Sequence, residues 1–240
     1  MVRERQAWRR FAAQCDPGLP PTLQLEDGLC RLVKLEPEIL RALGQAQAGE
    51  RPVCPKAACA IREKLATCGT PVEVEIGSGL GRFLLARATR HPDTHFIGIE
   101  QERVRVARID VAARKAGLTN VSLIRAEAMT VLEFCLPDAS VQAVYLFFPD
   151  PWPKPRHHKH RIFQRLFLDH VHRVLIPGGW LHCATDHEAY FDWMMDIMAK
   201  EARFKVVDPL VRSEEELTDF ELKFMANNKR TQAASWRKHL

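Results

Sequence analysis

The chain has 240 residues, 46% apolar and 27% charged, an ordinary globular mixture that excludes wholesale disorder and can bury a core without disulfides or structural metal. Its 35 Lys and Arg against 30 Asp and Glu give a formal charge of +5, a mild bias toward anionic partners. No run approaches the roughly 18 apolar residues of a membrane span, and Met1–Gln6 has no apolar signal stretch, so a cytoplasmic protein with no membrane association is expected.

Residues 1–70 read as an N-terminal extension, partly helical and packed on the main domain. Pro17, Gly18, Pro20 and Pro21 interrupt its start, and Cys30–Leu43 and Lys56–Ala66 are candidate short helices. Seven cysteines (Cys15, Cys30, Cys54, Cys59, Cys68, Cys135 and Cys183), odd in number and scattered, predict reduced thiols. Cys54, Cys59 and Cys68 invite a zinc reading, but no second close pair follows, and no metal is expected.

From residue 71 to 240 the pattern is regular. Pro71–Ile76 is a β-rich run ended by Gly77, Gly79 and Gly81, and Arg82–Arg90 is a helix. His95–Ile99 is a second strand. Glu102–Ala116 follows as a helix with Val104, Ala107 and Val111 on one face. Val121–Arg125 is the third strand and Met129–Cys135 the next helix. Val141–Phe148 is a near-continuous apolar run, as in a strand buried on both faces. Ile162–Leu175 is helical, with Phe163, Leu166, Phe167, His170 and Val174 on one face. Pro177-Gly178-Gly179 is a turn, Trp180–Ala184 a strand and Ala189–Ala202 a helix, with late strands at Phe204–Val207 and Phe220–Met225. Strands alternating with helices predict an α/β fold with an open, doubly wound, Rossmann-like parallel sheet.

The loop Glu75-Ile-Gly-Ser-Gly-Leu-Gly81 follows a strand and opens a helix, where bare backbone approaches a ligand closely. Its spacing is G-x-G-x-G, unlike the G-x-G-x-x-G of dinucleotide sites. Glu75 at the strand end would repel a pyrophosphate but suits a cationic amine. Glu100, 23 residues after Gly77, suits the hydroxyls of a ribose, and Glu127, past the third strand, an adenine. S-adenosylmethionine carries all three groups and a positive sulfonium. Solvated loop glutamates remain the simpler alternative for Glu100 and Glu127.

The most specific stretch runs from Leu146 to Arg161, at the C-terminal end of the fourth strand, where open α/β sheets place their chemistry. Pro149, Pro151, Pro153 and Pro155 alternate, so a stiff, non-helical segment is expected, holding Asp150 over the crevice. Lys154, Arg156, Lys159 and Arg161 follow with no acid between them, a compact cationic surface suited to phosphates. A stiff loop with a merely solvated basic face fits the same composition. His157, His158 and His160 lack the carboxylate or thiolate that would complete a metal set.

On these residues the chain resembles the single-subunit bacterial tRNA (guanine-N7-)-methyltransferase family. The hallmark is Phe148-Pro-Asp-Pro-Trp-Pro-Lys154 followed by Arg156-His157 and Lys159; Glu75-Ile-Gly-Ser-Gly79, Gly98-Ile-Glu100, Ala184-Thr-Asp186 and Thr218-Asp-Phe-Glu221 also match. The resemblance implies a class I S-adenosylmethionine-dependent methyltransferase fold. It implies methyl transfer to N7 of guanosine in tRNA, at position 46 of the variable loop. It also implies that Glu75, Gly77, Gly79, Glu100, Glu127 and Asp150 line the methyl-donor site. Asp150 would be the catalytic residue, and Lys154, Asp186 and Thr218 to Glu221 would hold the guanosine. Arg156, Lys159 and Arg161 join these as tRNA contacts, and the protein is expected as a monomer or homodimer. The chain departs from the family at Glu127, where Asp or Asn is usual, at His160, where Arg is common, and at Asn227-Asn228-Lys229 in the tail. The competing functions are a noncatalytic RNA-binding protein on the same fold and a small-molecule methyltransferase. A nicotinamide-dependent dehydrogenase is disfavoured by the glycine spacing and Glu75.

Overall fold

Val72, Val74 and Ile76 of the first strand, Val72–Ile76 (β1), enter one hydrophobic cluster, while Glu73 and Glu75, pointing the other way by the twofold period of a strand, are buried too. The computed structural model describes residue 65 and residues 69–240. The expected helix Cys30–Leu43, nearly all of Lys56–Ala66, and Cys54, Cys59 and Cys68 lie outside the described residues.

After β1 come Arg82–Arg90 (α1), His95–Ile99 (β2), Arg103–Lys115 (α2) and Val121–Ile124 (β3). Ala128–Thr130 (α3) passes into a wider π turn, Val131–Cys135, and Val141–Phe147 (β4) follows. Then come the 3-10 turn Pro155–His160, Arg165–Val174 (α4), Leu175–Thr185 (β5), Glu188–Met198 (α5) and Phe204–Val207 (β6). A 3-10 turn at Glu214–Glu216, Asp219–Ala226 (α6) and Gln232–Lys238 (β7) complete the order.

Among the described residues the strands form one seven-stranded sheet in the order β3-β2-β1-β4-β5-β7-β6. The pairs β3-β2-β1-β4-β5 are parallel, while β7 runs antiparallel to both β5 and β6. Chain order reverses between β1 and β4, which places a crevice at their C-terminal ends. The largest apolar cluster packs Phe167, Leu168 and Val171 of α4 and Tyr190 and Met194 of α5 against the sheet. Each such side chain, once fully buried, stabilises the fold by roughly 1.5–3 kcal/mol. Among the described residues, no helix is long and apolar enough to cross a membrane.

Four local expectations are corrected. Phe220–Met225 is helical because Thr218 and Glu221 form a reciprocal capping box that starts α6 ahead of the β-favouring aromatics. The strand at Gln232–Lys238 went unread because Ala234, Ser235 and Trp236 are buried in succession, with no alternation to betray them. The expected turn at Pro177–Gly179 is instead an irregularity inside β5, where the partners of Val141 and Ala143 jump from Leu175 to Trp180. The proline segment, expected to be wholly non-helical, winds into a 3-10 turn from Pro155, a residue whose fixed φ suits the first helical position.

Two helix faces also differ. On α2 the sheet takes Val106, Ile109 and Ala113, leaving Val104 and Val111 exposed. On α4 Leu166 is exposed, and Leu168 takes its place in the core.

Candidate functional site

The glycine loop folds back on the second strand at once, with the N–H groups of Gly77 and Ser78 donating to the Ile99 carbonyl at 2.8 and 3.2 Å. Gly77 and Gly79 have φ of +75° and +57°, and an added Cβ at Gly77 would meet none of the described residues within 4 Å. Glycine is therefore used here for its backbone conformation, and the space above the loop stays open. The Gly79 N–H donates to Glu100 Oε2 at 3.0 Å and the Glu102 N–H to Glu100 Oε1 at 2.9 Å. Glu100 thus ties the loop to the end of β2 and keeps lone pairs on both oxygens for a ligand.

Glu75 lies beneath this loop with its Oε2 buried and, among the described residues, unpartnered. Burial pushes its carboxyl up from 4.5 to about 8; a hydrogen bond from Ser78 opposes that, and the charge of Glu100 adds to it. Glu75, Gly77, Ser78 and Gly79 line a cavity of about 250 Å³ together with Phe147, Thr218 and Phe220. A cationic amine entering this space would satisfy the orphaned oxygen and restore its ionised form.

The far wall of the cavity is a strap, residues 212–221, fastened from α1. Arg82 Nε donates to the Leu217 carbonyl at 3.0 Å, and Arg87 Nη1 donates to Glu216 Oε1 at 3.3 Å. Arg87 Nη2 also reaches Glu73 Oε2 at 3.2 Å, and the Tyr145 hydroxyl donates to that same oxygen at 2.6 Å. Arg212 grips Glu221 through two contacts of 2.7 and 2.5 Å and lies over the Phe147 ring at 4.4 Å. Glu221 is consequently buried, and its carboxylate fixes Thr218 at the cavity wall.

The proline segment leaves β4 through Phe148, whose N–H donates to the Ala184 carbonyl at 2.7 Å. Asp150 is exposed just beyond, close enough for its charge to bear on the Tyr190 hydroxyl. Lys154, Arg156 and Lys159 are exposed, as a cationic surface requires. Arg161 is not part of that surface: it is 3% exposed, donates from Nε to the Pro151 carbonyl at 2.9 Å, and lies over the rings of Tyr190 and Trp193 at 4.8 and 5.1 Å.

The structure therefore brings Glu75, Gly77, Gly79 and Thr218 to one cavity, with Glu100 joined to it through Gly79. Glu127 does not line that cavity; it caps α3, accepting from the N–H groups of Met129 and Thr130 at 3.0 and 2.8 Å. Asp186, near the end of β5, pairs with Lys229. The sequence reading missed Arg212 and the α1 arginines Arg82 and Arg87 that hold the strap. The Thr218-x-x-Glu221 capping pattern was the available signal for this wall.

The model of the Methyltransf_4 family, described as "Putative methyltransferase", matches residues 69–234. A tRNA (guanine-N(7)-)-methyltransferase of Chromohalobacter salexigens is 44% identical over 139 residues, covering 58% of this chain and 56% of that protein. One from Halorhodospira halophila is 42% identical over 135 residues, covering 56% of this chain and 58% of that one. The chain thus spans a little over half the length of the curated relatives it matches. Among solved structures, the 16S rRNA methyltransferase KamB superposes with a TM-score of 0.54 at 17% identity, covering 74% of this chain and 92% of that one. The antibiotic-resistance methyltransferase Kmr does so at 0.51 and 18%, covering 82% and 97%. These two likenesses establish the class I methyltransferase α/β fold.

Proposed function

We propose that this chain, which belongs to the Methyltransf_4 family, transfers the methyl group of S-adenosylmethionine to N7 of a guanosine in tRNA, at position 46 of the variable loop. The observation that carries this reading is the 44% identity to a protein of that name, in a chain whose glycine loop covers a buried, unpartnered carboxylate oxygen.

The donor-site residues fit the group. Glu75 would take the amine, Glu100 the ribose hydroxyls, and the backbone of Gly77 and Gly79 would flank the chain between them. When bound, the donor supplies an electrophilic methyl group on a sulfonium. Guanine N7 carries an in-plane lone pair and no proton, so no strong general base is needed. Alignment dominates instead, and positioning of this kind supplies about 7–11 kcal/mol of a barrier. Asp150, at the β4 exit, would stabilise the purine as it gains positive charge or orient its N–H groups. Thr218 and Asp186 would hold the base, with Glu221 fixing Thr218. Lys154, Arg156 and Lys159 would take tRNA phosphates. Arg161 would support the segment that carries Asp150. Glu127 would reach the adenine only with lone pairs left over from its capping bonds.

The test is incubation of the full chain with bulk tRNA and methyl-labelled S-adenosylmethionine, followed by nucleoside analysis. Label in 7-methylguanosine is expected. Label confined to another nucleoside, or none in tRNA, overturns the reading.

A further inference from the structure

Beside the cavity three phenylalanines from two elements converge: Phe148 at the β4 exit, and Phe220 and Phe224 one turn apart on α6. Ring centroids lie 6.3 Å apart for Phe148 and Phe220, 5.5 Å for Phe148 and Phe224, and 6.2 Å for Phe220 and Phe224. Phe220 is 47% exposed and lines the same cavity as Glu75. Phe148 stands two residues before Asp150 and has φ of +51°, a left-handed conformation rare for a bulky side chain. Such conformations persist where the surroundings impose them, and they cluster at ligand clamps. A cation already sits on this group, since Lys229 Nζ lies 4.7 Å from the Phe224 centroid.

We infer that Phe148, Phe220 and Phe224 form the stacking platform for the purine that is methylated, with Phe220 as the ring in contact with it. This rests on the reading of guanine N7 as the methyl acceptor. In that step the N7 lone pair forms the N–C bond while the C–S bond breaks and its electron pair goes to sulfur. A neutral thioether leaves, no proton moves, and the purine acquires the positive charge. The face of a phenyl ring attracts a cation through its quadrupole. The contact is therefore stronger in the transition state than with the neutral base, which is the condition for accelerating a chemical step. A base must leave its own stack to reach such a cavity, and an aromatic side chain replaces the stacking it loses. The platform also sets the plane of the purine, and with it the direction of the in-plane lone pair.

The experiment compares wild type, Phe220→Leu and Phe220→Trp as full chains. Because Phe220 is half exposed, neither substitution opens a core cavity. Expected are a fall of about tenfold in kcat for Phe220→Leu with the KM for tRNA changed less than about twofold, and recovery of most of the loss in Phe220→Trp. A second readout needs no turnover. The added indole of Phe220→Trp is quenched more strongly by 7-methylguanosine monophosphate than by guanosine monophosphate, measured against wild type with its 5 native tryptophans. Wild-type formation of 7-methylguanosine with unchanged kcat in Phe220→Leu, or quenching no greater than in wild type, overturns the platform alone. Absence of 7-methylguanosine from the wild-type product overturns the underlying reading and the platform with it.

Discussion

The Nε–H of Arg161 donates to the carbonyl oxygen of Pro151 at 2.9 Å, so the last cation of the basic loop braces its beginning. Its guanidinium is buried over Tyr190 and Trp193, and that burial lowers its pKa. Arg161→Ala removes a charged hydrogen bond and two ring contacts together. A loss of about 3 kcal/mol of stability is expected, read as a lower urea midpoint. A midpoint equal to that of Arg156→Ala would show that Arg161 braces nothing.

The exposed cations behave differently. Lys154→Ala, Arg156→Ala and Lys159→Ala should leave the unfolding free energy, read from urea titrations, within about 0.5 kcal/mol of wild type. Each should weaken tRNA binding and reduce the salt slope of log K by about 0.7–0.9, the value of one phosphate contact. Slopes identical to wild type in all three would place the tRNA on another surface.

Asp150 is exposed, and its replacement opens no core cavity. Asp150→Ala is expected to bind tRNA within about twofold of wild type while kcat falls by about a hundredfold or more, as for loss of an aligned electrostatic group. Near-wild-type turnover of the purified variant would remove Asp150 from the chemistry.

With Glu75 as the partner of the donor's amine, as proposed, donor affinity would depend on pH. Its carboxyl titrates at about 8 in the free chain against 4.5 ordinarily, so between those values the folded state holds a proton that the unfolded state has released. Stability of the free chain is therefore greatest below pH 4.5 as far as this group is concerned, and is lost as pH rises toward about 8. Binding a cationic amine draws off that proton. Donor affinity should rise with pH up to about 8 and then level off, with proton release visible by calorimetry in buffers of different ionisation enthalpy. Glu75→Gln should stabilise the free chain at pH 8, bind the donor poorly, and show no proton release. Proton release that persists in this variant would assign the effect elsewhere.

His182 has the opposite sign. It is stacked between Tyr145 and Trp180 at 5.2 and 5.8 Å, with Nδ1 2.7 Å from Ser235 Oγ. Burial, helped by the charges of Arg87 and Arg212, lowers its pKa from 6.5 to about 4. The stability held by the neutral ring is present above pH 6.5 and lost as pH falls toward 4, by about 3 kcal/mol in all. Urea titrations of wild type and His182→Gln at pH 7 and pH 4.5 check this. An equal acid loss in both would exclude His182 as its source.

Much of the sheet was legible because β1 to β4 are short apolar runs bounded by glycine, proline and charged residues. The glycine loop was legible because its residues are contiguous. The strap was not. Arg82 and Arg87 lie more than a hundred residues before Leu217 and Glu216, and no local pattern marks which arginine of an amphipathic helix will reach a distant carbonyl. On α2 two apolar stripes competed, and the sequence alone favoured Val104 and Val111 over Val106 and Ile109.

By itself the sequence determined the alternation of strands and helices, the glycine loop with Glu75 at the strand end before it, and the family resemblance carried by Phe148–Lys154. Those features rest on periodicity and contiguous chemistry, which a single chain displays in order. The tertiary structure alone decided that Arg161 is a brace while Lys154, Arg156 and Lys159 face solvent, and that Glu127 caps a helix. It also decided that residues 212–221 close the cavity and that three phenylalanines meet at its edge. Burial and long-range pairing divide residues of identical type into different roles. That division exists only once the chain has folded and each group's access to water is set.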